Sequence, residues 1–192
     1  MLELREISGI YSGLAVQEGG GGSARFVRLS DLSDLKSGRA PKLTNGEPSA
    51  VARALPIEEG DLIVGARGAA TDVCLATEAL FGAFISLDLY LVRPDSSKVD
   101  PGYLAAFLDL PATQATFSGS RQGSGLARLP KDALDKLAIP LPPMPTQRLI
   151  AKLARSFREE AELLQRLAAL NSILGREALA QAIRAAVTSS NS

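Results

Sequence analysis

LAIPLPPMPTQRLIAKL, residues 137–153, passes through three kinds of chain in succession. LAIPLP, residues 137–142, reads as a final strand. Prolines at 140, 142, 143 and 145 then end any ladder, because proline has no N–H to donate, so the strand must stop here or lie at an edge. Thr146, just after Pro145, suits a helix N-cap, and apolar residues fall at helical spacing beyond it. A strand, a stiff ramp and a long helix are therefore joined with a fixed exit direction.

Downstream, the apolar residues repeat in sevens. Ile150, Phe157 and Leu164 form one series, which Asn171 continues. Leu153, Leu167 and Leu174 form the other, with Glu160 interrupting it. Two such series make the seam of a coiled coil, where a polar residue such as Asn171 can fix register; Asn171 can equally be a solvent-facing residue. Gly175 weakens the helix by about 1 kcal/mol relative to Ala and is a place for it to end or bend. Leu179, Ile183 and Val187 resume the stripe. A continuous helix of about 42 residues at ~1.5 Å each spans roughly 60 Å, too long to be covered by a domain this small. It is expected to meet another long helix, in a second copy or in a partner.

Upstream, the pattern is of short strands broken by turns. Candidates are Arg25–Leu29, Leu62–Ala66, Val73–Ala76 and the long run Ala83–Arg93, which alternates over Ile85, Leu87, Leu89 and Leu91. Asp100 and Pro101 open a helix carrying Tyr103, Leu104 and Phe107 on one face; PATQATF and KDALDKL suggest two more short ones. The fold class is α+β: a domain of short mixed strands with few helices over 1–144, a coiled-coil helix over 145–188, and a disordered tail at 189–192.

Composition narrows the function. The chain of 192 residues has no histidine and one cysteine, Cys74. Without His the commonest general base and metal ligand are missing, and the usual serine and cysteine triads are excluded. A lone cysteine forms no internal disulfide and builds no zinc site. Inside an apolar strand, Cys74 is most simply a core residue. No apolar run is long enough to cross a bilayer and the start lacks a signal-peptide layout, so the cytoplasm is expected. Lys plus Arg and Asp plus Glu each total 21; seven basic and four acidic residues from 145 onward leave fourteen and seventeen before it. The first domain is thus acidic by three charges, which gives no electrostatic hint of nucleic-acid binding.

The segment LPKDALDKLAIPLPPMPTQRLIAKLA, with a glycine loop before it and the long helix after it, resembles the specificity (S) subunits of type I restriction-modification systems, in a form with a single target-recognition domain. Pro140, Leu141, Pro142, Pro143, Gln147 and Ile150 stand in matching places, and Thr146 replaces the usual Glu. LELREISGIYSG, FVRLSDLSDLKSG, LPIEEGDLIVGARGAA and LNSILGREALAQAI resemble further family segments in the same order, with Arg5 where Gly is common and Gly175 an oddity. The resemblance implies a target-recognition domain that reads one half of a bipartite site in double-stranded DNA and performs no chemistry itself. It implies a DNA adenine methyltransferase as partner and, where one exists, a restriction or translocase subunit. S-adenosylmethionine, ATP and Mg²⁺ would reside on those partners. A chain with one such domain is expected to form a homodimer and to read a palindromic, gapped site whose halves lie at most about 18 base pairs apart, at ~3.4 Å per pair.

DNA-reading groups should be donors and acceptors on loops held by a rigid frame. Arg121, Gln122 and Ser124 in GSRQGSG are candidates, as are Arg39, Lys42, Thr44 and Asn45 in SGRAPKLTNGE, Arg67 in GARG, and Arg128. Each has a plain alternative: a mobile loop for the first group, a solvated loop with an Asn-Gly turn for the second, and a salt bridge to Asp61 or Asp72 for Arg67. Ser12, Ser23 and Arg25 beside the glycine loop read more simply as structural. PDSSK lacks a second acid at nuclease spacing, SDLK is a chance Ser-x-x-Lys, and methyltransferase motifs are absent. A different class also fits the flat charge: a protein-interaction or regulatory module that keeps the fold without reading DNA.

Overall fold

In the computed structural model, which describes residues 1–17, 22–48, 55–68, 71–121 and 127–189, the alternating run Ala83–Arg93 is two strands and not one. Strand β8 (Phe84–Ile85) and strand β9 (Leu89–Pro94) are separated by a turn at Leu87 and Asp88. The two-residue turn preserves the alternation, so the pattern runs through it unbroken. Leu87 nevertheless stands half exposed, while Ile85, Leu89 and Leu91 enter the core.

Three elements open the chain: β1 (Leu2–Glu3), α1 (Leu4–Ile7) and β2 (Ser8–Ser12). They are followed by β3 (Val16–Gln17), β4 (Ala24–Val27), α2 (Leu32–Lys36) and β5 (Thr44–Pro48). Strands β6 (Leu62–Gly65) and β7 (Val73–Leu75) precede β8 and β9. Helices α3 (Pro101–Leu108), α4 (Pro111–Ser120) and α5 (Lys131–Asp135) lead to β10 (Ala138–Ile139) and α6 (Met144–Ser189).

The central sheet has the order β2-β9-β6-β7, all antiparallel. Both of its faces are apolar. Leu62, Val64, Val73, Tyr90 and Val92 point to a core shared with Leu104, Leu108, Phe117 and Leu134 of the helices. Ile63, Cys74, Leu89 and Leu91 point the other way, to Val27, Leu32, Leu80 and Ile85. Successive residues of one strand feed opposite cores, as strand geometry requires. Cys74 accordingly is buried. The second sheet, β3-β5-β4-β8, is antiparallel except where β4 runs parallel to β8. A Cβ on Gly13 would collide with the Ser86 carbonyl, so glycine is needed where the end of β2 crosses the β8–β9 turn.

The proline ramp ends as the sequence suggests and begins the helix earlier. Ala138 and Ile139 pair with Glu3 and Leu2 in a two-stranded sheet, and Leu4 N–H donates to Leu137 O at 2.9 Å. The helix starts at Met144, not after Thr146, and the Pro143 carbonyl accepts from the N–H groups of Thr146 and Gln147. Pro145 fits within this first turn, where its missing N–H would have had no partner. Gln147 is 2% exposed. Its Oε1 accepts from Asp100 N–H at 2.9 Å, and its Nε2 donates to Pro142 O at 2.9 Å. Asp100 in turn caps α3 through Tyr103 N–H, at 3.0 Å. A Cβ on Gly102 would lie 3.0 Å from that of Ala151, so a small residue lets α3 and the start of α6 approach. Residues Met1–Ala154 form one compact unit and Arg155–Ser192 a second. The helix runs through Gly175 without a break and extends to Ser189. Among the described residues no helix is long and apolar enough to cross a membrane.

Candidate nucleic-acid interface

Three segments are tied together at the end of the central sheet where β6 stops. Ala66 N–H donates to Asp88 O at 2.8 Å, and Leu129 N–H donates to Ala66 O at 2.8 Å. Arg67 and Arg128 face each other in an isolated antiparallel bridge. Tyr90 Oη donates to Leu129 O at 2.8 Å and fastens the last segment to the core. Two arginines, far apart in sequence, thus stand on a hydrogen-bonded frame and not on free loops.

Asp88 lies between them. Its Oδ1 is 2.8 Å from Arg67 Nε and 3.7 Å from Arg128 Nη1. The Arg67 N–H is not aligned on the carboxylate, so this contact is a charge pairing, and Nε has no hydrogen-bond partner. Arg128 is held more fully: Nη2 donates to Leu87 O at 3.0 Å, and the guanidinium lies 5.3 Å from the Tyr90 ring centroid. Two cations sharing one anion leave the group with a net charge of about +1. Beside it a shallow concavity of about 320 Å³ opens between residues 14–16, 28–30 and 86–88, with Arg28 and Asp88 on its wall.

Arg121 belongs to the same end of the sheet by another route. Its Nη2 donates to Thr71 Oγ1 at 2.7 Å and its Nη1 to Ala127 O at 3.2 Å. Thr71 is itself docked on α4, exchanging hydrogen bonds of 3.1 and 2.9 Å with the Gln114 amide. Arg121 therefore braces a buried threonine, and its Nε is buried without a partner. Lys36 lies nearby, 3.1 Å from Asp72 and 3.6 Å from Asp109. Burial lowers its pKa, but the hydrogen bond to Asp72 and the two carboxylates outweigh that and raise it above the usual lysine value.

The other candidates are not gathered with these. Arg39 donates to Asp34 through Nε at 2.9 Å and Nη2 at 2.6 Å. Lys42 is exposed and makes no ion pair among the described residues. Thr44 and Asn45, expected in a loop with an Asn-Gly turn, lie in β5 opposite Phe26 and Arg25. Gly46 is buried there, and a Cβ on Gly22 would collide with its carbonyl. The glycine marks a close passage of two backbones, not a reversal. Arg25 is structural, donating to the Ala79 and Phe81 carbonyls at 3.3 and 2.7 Å. Gln122 and Ser124 lie outside the described residues. For Arg67 the sequence offers Asp61 or Asp72 as a partner; the partner is Asp88, while Asp61 is bound to Arg93 at 2.8 Å. Asp88 was missed altogether. The available signal was Ser86-Leu87-Asp88, a turn-forming polar pair inside an apolar run. Among the described residues no group of His, Cys, Asp or Glu could hold a metal ion.

The second unit has a different surface. Phe157, Leu164, Leu167 and Leu174 are each more than half exposed, as is Leu153 two residues before the unit begins; Ile150 is 36% exposed. Asn171 is exposed in line with them. Leu163, Leu170 and Ile173 are also exposed and lie outside the two heptad series, which widens the apolar face.

A family model for the type I restriction modification DNA specificity domain matches residues 24–171. A chain solved for complex assembly and conformational transition of the type I R-M system superposes with a TM-score of 0.61 at 19% identity, over 86% of this chain and 39% of that one. The HsdS subunit from Thermoanaerobacter tengcongensis gives 0.58 at 20% identity, over 86% and 38%. The type I restriction-modification S subunit from M. genitalium gives 0.58 at 14%, over 86% and 40%. At these identities the likeness is one of fold, and the chain spans about two fifths of the length of each of these proteins. No curated protein sequence matches. Because the family match runs from β4 through the body and well into α6, the chain belongs to the type I restriction-modification DNA specificity family.

Proposed function

We propose that this chain is a DNA-sequence-specificity subunit without chemistry of its own, reading one half of a bipartite site and delivering an adenine methyltransferase to it in the cytoplasm. The observation that carries this reading is the family match over 24–171, which includes both the arginine-bearing body and the apolar helix. The rigid mounting of Arg67 and Arg128 supports it, since base reading needs donors held in place. The exposed heptad residues support pairing of α6 with a second long helix, in the simplest case that of a second copy. Methyl donor, nucleotide and Mg²⁺ belong to the partner subunits in this scheme. A helix of 46 residues spans about 70 Å, which limits the separation of two half-sites to roughly 20 base pairs.

Charge sets the expected strength. Arg39 pairs with Asp34, Arg67 and Arg128 share Asp88, and Lys36 pairs with two carboxylates. DNA phosphates must compete for these cations, so the isolated chain should bind DNA weakly and with a shallow salt dependence.

The test is modified-base sequencing of cells carrying an adenine methyltransferase of the same system, with and without this chain. A gapped palindromic motif that appears only with the chain is the expected result. Unlike halves would retain DNA reading and replace self-pairing by a second recognition chain. Methylation by an active enzyme that ignores this chain would remove the reading and leave an interaction module of the same fold.

A further inference from the structure

We propose that Arg67 reads a guanine edge and that Asp88 is its positioning residue, an inference that rests on the DNA-reading function above. The two arginines at Asp88 are not equivalent. Arg128 spends its guanidinium on the Leu87 carbonyl, the Tyr90 ring and Asp88. Arg67 meets Asp88 at Nε, and among the described residues its two terminal amino groups make no hydrogen bond. That geometry leaves open the pair of parallel donors which match O6 and N7 of guanine.

The mounting is as specific as the side chain. The backbone at Ala66 is bonded to Asp88 on one side and to Leu129 on the other, so Arg67 starts from a fixed point. Its side chain is 42% exposed and that of Asp88 43%, which places both where a base edge can approach. A flexible arginine loses rotamer freedom when it binds; one steered by a carboxylate has lost part of it beforehand. Asp88 also repels phosphate, so it disfavours use of Arg67 as a general backbone contact. Arg128 offsets that repulsion and helps hold the Asp88 carboxylate in place. In this arrangement Arg67 supplies the recognition, Asp88 its direction, and Arg128 the counter-charge.

The experiment is the same methylation sequencing, repeated with Arg67→Ala, Arg67→Lys and Asp88→Asn, each purified separately to establish by thermal melting that it folds. The wild-type motif should contain a guanine, on either strand, in each half-site. Arg67→Ala should make that one position degenerate, a loss of roughly tenfold or more in preference, while every other position keeps its base. Arg67→Lys should do the same, because one ammonium lacks the paired donors. Asp88→Asn should relax the same position more weakly, while every other position keeps its base. A purely structural Asp88 would instead lower melting temperature and methylation at all sites, with base preference intact. An unchanged motif in folded Arg67→Ala overturns the inference while the DNA-reading function stands. So does uniform loss of methylation, which would make Arg67 a phosphate contact, and so does a wild-type motif with no G·C pair in its halves. A wild type that directs no motif removes the function itself.

Discussion

The body and the distal helix draw on the same apolar residues and use them in opposite ways. Leu4, Leu62, Leu104 and Leu134 are fully buried within Met1–Ala154, whereas Leu164, Leu167 and Leu174 in Arg155–Ser192 are more than half exposed. Composition does not distinguish them; periodicity does. The body's strands alternate and supply two cores from one sheet, so each apolar side chain finds a partner in its own chain. The helix repeats in sevens and has a partner only if a second helix is brought to it. The body buries its apolar residues within itself, and the helix leaves its own exposed.

Four substitutions break or sharpen this contrast. The largest effect is expected from Leu164→Glu, which puts a charge into the seam; light scattering should show the mass falling from a pair to a single chain. An unchanged mass would place the seam elsewhere on the helix. Leu62→Ala removes a fully buried side chain from the central sheet and should cost about 2–5 kcal/mol of unfolding free energy, with association untouched. Denaturant titration of the body, alongside the same mass measurement, separates the two units. Gln147→Ala leaves Asp100 N–H and Pro142 O without their partner and should cost about 1–3 kcal/mol, measured by thermal melting. Gly175→Ala is the smallest change and has the opposite sign. A Cβ there meets nothing within 4 Å, so the helix should gain about 1 kcal/mol, seen as later loss of helical circular dichroism on heating.

What could be read from the sequence followed the range of the physics involved. Proline and capping rules act over a few residues, so α3, α4 and the strand–ramp–helix junction were legible; Asp100 caps its helix as expected. The exposed heptad residues of α6 were equally plain, because they repeat without regard to the rest of the fold. The site was not. Arg67, Asp88 and Arg128 meet through backbone pairings between segments some twenty to sixty residues apart in this chain, and no local rule announces such a meeting. The turn at Leu87 and Asp88 hid for a related reason, since two residues of turn preserve an alternation of period two. Asn45-Gly46 misled in the reverse direction: a turn signature was used for close passage within a sheet.

The pairing of β1 with β10 carries a consequence for how such proteins can be rearranged. The body starts and finishes on neighbouring, hydrogen-bonded strands, with Leu4 bonded directly to Leu137. A body closed in this way occupies a single attachment point, whatever lies between. Changing what lies between these two strands would leave both ends of the body at the same place. If the chain reads DNA as proposed, new sequence preferences would be acquired by replacing whole bodies, rather than by mutating contacts one base at a time.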